Sequence, residues 1–201
     1  MNTPLLLCLV MHETFKALVL TYKTAPVAIR EQVSLNQAGV KQLLNFIREF
    51  TPATEALIVS TCNRTEIYYA AEKELSQEIF NGLRLVKGIE AGFENHFVSI
   101  SGMDAITHLF EVAIGLDAQV IGDLQVSGQI KNAYQWTADE NMAGPFLHRL
   151  LHTIFFANKR VVHETAFRDG AASISYAAKD LTEALISKTS EGLRPLILHV
   201  E

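Results

Sequence analysis

The sequence predicts an α+β fold, a ferredoxin-like split βαβ unit followed by a helical subdomain. Three observations carry this. Over the first hundred residues, the apolar runs read in the order strand, helix, strand, strand, helix, strand. After Ser101 the texture changes from short apolar runs to helical spacing. The length of 201 residues, 49% hydrophobic and 19% charged, suits one globular domain or slightly more and excludes a disordered chain.

Phe15–Thr21 (FKALVLT) is a short apolar run that ends in the turn-like Lys23-Thr24-Ala25-Pro26, which predicts a strand. Ser34 is placed to cap a helix over Gln37–Phe50, with Val40, Leu43, Leu44 and Ile47 on one face and Pro52 as its stop. Ala56–Ser60 and Glu66–Ala70 are strand-like runs separated by Thr61–Thr65. Leu75–Val86 has weak helical periodicity, and His96–Ile100 alternates as a strand does. Ser101-Gly102-Met103-Asp104 is spaced as a capping box for a helix carrying Ile106, Leu109, Phe110 and Ala113, which Gly115 can close. Further helices are predicted from about Asp123 to Asp139, from about Pro145 to Thr165, and from near Ser173 past Leu185.

The two ends read differently from the middle. Residues 1–14 form an extension whose apolar run, Leu5–Met11, is far short of the roughly 20 residues a bilayer span needs. It lacks the basic start and small-residue cleavage site of a signal peptide, so a soluble protein is expected. Gly192-Leu193-Arg194-Pro195 is a break, and Leu196–Val200 (LILHV) has the character of a first strand of a further domain. The expected organisation is an extension over 1–14, a catalytic domain over 15–170, and a linker helix with the start of another domain over 171–201.

The sharpest local feature is Ser60-Thr61-Cys62-Asn63-Arg64-Thr65. A cysteine at a turn just past an apolar strand is held rigidly and can be reached from outside. A neighbouring arginine favours the thiolate, the nucleophilic form. The competing reading is a buried small hydrophobe beside ordinary turn residues. Cys8 and Cys62 are the only cysteines, too few for a disulfide scaffold, which suits a reducing cytoplasm. Of the seven histidines (His12, His96, His108, His148, His152, His163 and His199), only His108 lies early in a helix near a plausible pocket segment. Gln125 and Gln129 are four apart, so a helix puts both amides on one face, either against a substrate or in solvent. No spacing of metal ligands is present, and neither a GxGxxG turn nor a P-loop occurs. The formal charge of −5 argues against a self-sufficient nucleic-acid binder. Lys159, Arg160, Arg168 and Lys179 form a local basic patch, most simply a solvated helix face.

STCNRTEIY (Ser60–Tyr68) resembles the catalytic-cysteine motif of glutamyl-tRNA reductases. YKTAPVAIRE (Tyr22–Glu31) resembles that family's opening HKTAPxxxRE. HLFEVAIGLDAQVIGDLQVSGQIKNAY (His108–Tyr134) resembles HLxxVAxGLDSxVxGExQIxGQVKxAY. ANKRVVHETAF (Ala157–Phe167) followed by GAASISYAA (Gly170–Ala178) resembles KRVRTETxI and GAxSVSxAA. The resemblance implies a cysteine thiolate that attacks the ester of glutamyl-tRNA, giving a thioester that NADPH reduces to glutamate-1-semialdehyde for tetrapyrrole (haem) synthesis, without a metal. It also implies a homodimer strung along a spinal helix, contact with the downstream aminomutase, and an NADPH domain that begins after a strand such as Leu196–Val200. This chain is thus expected to be the amino-terminal catalytic part of a longer reductase. By the same resemblance, Cys62 is the nucleophile and His108 the second catalytic residue. Thr61, Asn63 and Arg64 form the substrate loop, and Asp123, Gln125 and Gln129 a second substrate segment. The sequence departs from the pattern at Ala118 (a serine in the family, its hydroxyl expected to face substrate), Asp123 (a glutamate), Leu124 (commonly a proline) and Val162 (an arginine). These changes leave a diverged binding or regulatory paralogue as the alternative.

Overall fold

A computed structural model describes residues 13–119 and 121–165, apart from the side chain of Leu124. Four strands, β1 (Phe15–Thr21), β2 (Glu55–Ser60), β3 (Arg64–Ala70) and β4 (Val98–Ser101), form one antiparallel sheet in the order β2-β3-β1-β4. Helical crossovers lead from β1 to β2 and from β3 to β4, each passing over one intervening strand, which is the predicted split βαβ arrangement. Alternate residues serve two cores. Leu18, Leu20, Ile58, Ile67 and Tyr69 point into one, while Phe15, Ala17, Val19, Leu57, Val59 and Tyr68 point into the other. Both faces are covered, so β1 and β2 read as continuous apolar runs.

The first face carries α1 (Val27–Val33), α2 (Gln37–Phe50) and α3 (Ser76–Lys87). The second carries α4 (Met103–Ile114), α5 (Leu124–Asp139) and α6 (Pro145–Glu164), through Leu109, Val112, Ile130, Leu147, Leu151 and Ile154 among others. The helical half therefore closes the open face of the same sheet. The end of α5 also protects an edge. Ala56 N–H of β2 donates to Met142 O at 3.0 Å, and Trp136 and Met142 join the first core, so the β2 edge is not left open.

One buried carboxylate ties α6 to the sheet. Glu55, at the start of β2, accepts from Phe146 N–H at 3.1 Å and from Leu147 N–H at 2.7 Å. A carboxylate there satisfies orphan donors and suits the positive end of the helix dipole. Gly144 leaves it room, since a Cβ there would lie 2.3 Å from Glu55 Oε1.

Several local expectations are corrected. Asn36, not Ser34, caps α2, its side chain accepting from Gly39 N–H at 2.9 Å. Ser34 instead closes α1, a seven-residue helix after Pro26 to which the sequence alone assigned no element. No capping box forms at Ser101, because the sheet claims that residue as the partner of Lys16. Gly102, at φ 62°, begins α4 without a side-chain cap. Glu94–His96 is a 3₁₀ turn, so β4 starts at Val98. Gly115 does close α4, in the left-handed conformation. Cys8, the helix expected from Ser173 and the strand Leu196–Val200 lie outside the described residues. Among the described residues, no helix is long and apolar enough to cross a membrane.

Candidate active site

Cys62 sits on the short loop between β2 and β3, with an exposed side chain. The loop is closed by Thr61 N–H donating to Arg64 O at 2.8 Å. Asn63 N–H donates to Thr61 Oγ1 at 3.2 Å, a hydroxyl-stabilised turn. It is also clamped from outside: Tyr22 N–H reaches Asn63 O at 2.9 Å, and Arg30 Nε reaches Cys62 O at 3.2 Å. Arg30 is itself fixed by donating through Nη1 to Ala25 O at 2.9 Å. Tyr22, Ala25 and Arg30 all belong to the YKTAPVAIRE stretch, which gives that motif a physical role as the brace of the cysteine loop.

Beside the loop lies a buried polar cluster. Arg64, Glu66 and Tyr68 alternate along β3 and so point to the same face. Glu66, with no exposed surface, takes Arg64 Nη1 at 2.8 Å and His108 Nε2 at 3.1 Å on Oε1, and the Tyr68 hydroxyl at 2.6 Å on Oε2. His108 reaches it from α4, its ring stacked on Tyr68 at 6.4 Å between centroids. Arg64 also donates to the backbone carbonyl of Asp117, and its Nη1 lies 3.5 Å from Asp117 Oδ2. Lys23 pairs with the other oxygen of Asp117. Two cations therefore balance two carboxylates.

Burial alone pushes the Glu66 carboxyl up. The His108 hydrogen bond, the Arg64 and His108 charges and the Tyr68 hydroxyl outweigh it and hold the group below its ordinary 4.5. Burial and the neighbouring Glu66 raise the Tyr68 phenol well above 10, so it remains a donor. Glu66, His108 and Asp117 bring three ligand atoms within 4.8 Å of one another, a donor set that a divalent cation can use. Arg64 bridges both carboxylate residues, so its guanidinium supplies a positive charge to the same set.

The second predicted segment starts where α4 ends. Gly115 is left-handed at φ 83°, and its carbonyl accepts from Gly122 N–H at 2.9 Å. This closes the loop that carries Asp117. Asp123 caps α5, its side chain accepting from Gln125 N–H at 2.9 Å. An aspartate suits this position because its short side chain reaches back to the first turn. Gln125 is exposed and Gln129 half-buried, one turn apart on α5 as expected.

The structure thus joins Arg64 and His108 through Glu66, and places Thr61 and Asn63 in the frame of the Cys62 loop. It does not join Cys62 to His108: among the described residues no hydrogen bond reaches the sulfur, and the imidazole is committed to Glu66. Arg64, placed by the resemblance on the substrate loop, is the first residue of β3 and 3% exposed. Ala118 is 8% exposed and part of the second core. Glu66, Tyr68, Asp117 and Lys23 escaped the sequence reading. The available signal was Arg-x-Glu-x-Tyr, three polar groups at period two inside an apolar strand.

The family model described as "Glutamyl-tRNAGlu reductase, N-terminal domain" matches residues 18–165. The chain belongs to this family. It is 55% identical over 182 residues to the glutamyl-tRNA reductase of Cytophaga hutchinsonii, an alignment covering 89% of this chain and 43% of that protein. To the Aquifex aeolicus glutamyl-tRNA reductase it is 35% identical over 181 residues, covering 90% of this chain and 44% of that one. Among solved structures, glutamyl-tRNA reductase from Methanopyrus kandleri superposes with a TM-score of 0.69 at 24% identity, over 86% of this chain and 40% of that one; at this identity the likeness speaks for the fold. The chain spans about two-fifths of the length of these glutamyl-tRNA reductases. Both the cysteine loop and the Asp123–Gln129 segment fall inside the family match.

Proposed function

We propose that this chain carries the acyl-transfer site of a glutamyl-tRNA reductase, with Cys62 as the nucleophile. The supporting observation is an exposed cysteine on a loop pinned by four hydrogen bonds, at the end of two buried strands, within the family match. A pinned loop holds the sulfur still, which favours attack once an ester is bound. The thiolate of Cys62 bonds to the glutamyl carbonyl carbon, and the carbon–oxygen bond to the ribose breaks. The ribose oxygen leaves with a proton, and a thioester remains on the enzyme.

Other residues take supporting parts in this reading. Thr61 and Asn63 hold the loop. Arg64 offers its guanidinium to the carboxylate of the glutamyl side chain, which replaces the long 3.5 Å contact to Asp117. His108, oriented by Glu66 through Nε2, moves the proton to the leaving oxygen. Asp123 fixes the start of α5, and Gln125 and Gln129 present amides to the substrate's polar groups. A substrate that is an aminoacyl-tRNA places the reaction in the cytoplasm.

The resemblance assigns the following hydride step to NADPH. Among the described residues, no glycine-rich turn joins a strand to a helix in the manner that cradles a pyrophosphate. These residues therefore do not fit the dinucleotide. Without a reductant the thioester meets water, giving glutamate and the free thiol, so this chain alone acts as a slow glutamyl-tRNA esterase. The test is single-turnover cleavage of glutamyl-tRNA without nucleotide. Cleavage by the natural sequence and background rates for Cys62→Ser are expected; equal rates for the two would remove Cys62 from the mechanism.

A further inference from the structure

The outward face of α6 gathers charge that the chain as a whole lacks. Helical spacing places His148, Arg149, His152, Lys159, Arg160 and His163 within one third of the helix circumference, opposite the buried Leu147, Leu151 and Ile154. All six are exposed. α6 holds three arginines and lysines against one acid, Glu164, while the whole chain carries a formal −5, so everything outside α6 carries −7. Lys131 of α5 extends the face, its ammonium 5.8 Å from the ring of Phe155 on α6. Phe156, 65% exposed, lies among the cations. From residue 148 to residue 163 the stripe runs about 22 Å.

We infer that this face of α6 docks the phosphate backbone of RNA, an inference that rests on the reading of the substrate as an aminoacylated tRNA. A line of cations spaced along a helix gains affinity from a polyanion by releasing its counterions, and an exposed aromatic ring among them gives an unpaired base a surface to stack on. A net positive charge on one helix lets an acidic protein hold a polyanion in a defined orientation, because the net charge elsewhere is negative. Arg160 also pairs with Glu164 at 2.8 Å. Both side chains are largely exposed, so the pair exchanges readily for a phosphate.

The test is binding of deacylated tRNA to the whole chain between 50 and 200 mM salt, followed by fluorescence anisotropy. Contacts from Lys131, Arg149, Lys159 and Arg160 predict a slope of about −3 in log affinity against log salt. The triple variant Arg149→Gln, Lys159→Gln, Arg160→Gln should bind about tenfold or more weakly at 50 mM and flatten the slope by about 2. Lys73→Gln, an exposed cation on the turn before α3, should change neither, and thermal melts of each variant check that the fold is intact. No binding at 50 mM, an unchanged slope in the folded triple variant, or polyglutamate competing as well as RNA per unit charge would each overturn the inference. Deacylated tRNA has no ester, so failure of Cys62 chemistry leaves this result untouched. Conversely, a Cys62 thioester with no salt-dependent docking would sink the docking face alone.

Discussion

Glu66 is the residue on which the buried cluster turns, since it holds Arg64, His108 and Tyr68 at once. Removing one partner of a buried ion pair leaves the other uncompensated, so Glu66→Ala should cost about 3–5 kcal/mol, measured by urea unfolding at neutral pH. Glu66→Gln keeps two acceptor–donor contacts and should cost less. The pH dependence has a definite sign. The folded carboxyl titrates below its ordinary 4.5, so its contribution is present above that value and is lost as pH falls through the folded one. Stability of the natural sequence should therefore drop more steeply below pH 4.5 than that of Glu66→Gln; parallel curves would contradict the pairing. At this scale the sequence displayed Cys62 well, because a cysteine between two apolar runs is visible locally. It concealed the burial of Arg64, which depends on how the loop after α4 returns to β3.

Two glycines separate backbone strain from crowding at the level of elements. Gly88 and Gly115 both end helices in the left-handed region, at φ 63° and 83°. A Cβ at Gly88 meets nothing within 4 Å, whereas one at Gly115 would lie 3.2 Å from Asp123 N. Gly88→Ala should cost about 1 kcal/mol from conformation alone. Gly115→Ala should cost more and also slow glutamyl-tRNA cleavage, because it displaces the loop that carries Asp117. Equal stability losses with unchanged cleavage would disconnect that loop from the site. Element identities were largely legible, from the apolar run of β1 to the 3.6-residue periodicity of α2. What failed were the caps. Ser34 and Asn36 are both good capping residues two positions apart, and only the presence of α1 decides between them. Ser101 was claimed by a long-range strand pairing that no local window contains.

Across the whole molecule, the sheet is a plate between two helical layers, and Glu55 is the bolt that holds the second layer. Its carboxylate is buried and spent entirely on the first turn of α6. Glu55→Ala should cost about 2 kcal/mol and lower hydrogen-exchange protection in α6 more than in α2. Uniform loss across both helices would mean that the two layers open as one unit. The second layer's closure over the sheet was signalled indirectly, by strands apolar on both faces. The sequence could not say which helices supply the cover, since that depends on contacts between residues nearly a hundred positions apart, such as Glu55 with Phe146 and Leu147.

The nucleophilic role of Cys62 is the claim on which the functional reading stands, and peptide mass spectrometry tests it most directly. The chain is mixed with glutamyl-tRNA without nucleotide, quenched in acid and digested. A glutamyl adduct on the peptide containing Cys62 is expected, removed by hydroxylamine and missing from Cys62→Ser. Folded protein that cleaves the ester while Cys62 stays unmodified, with the same cleavage by Cys62→Ser, would contradict it.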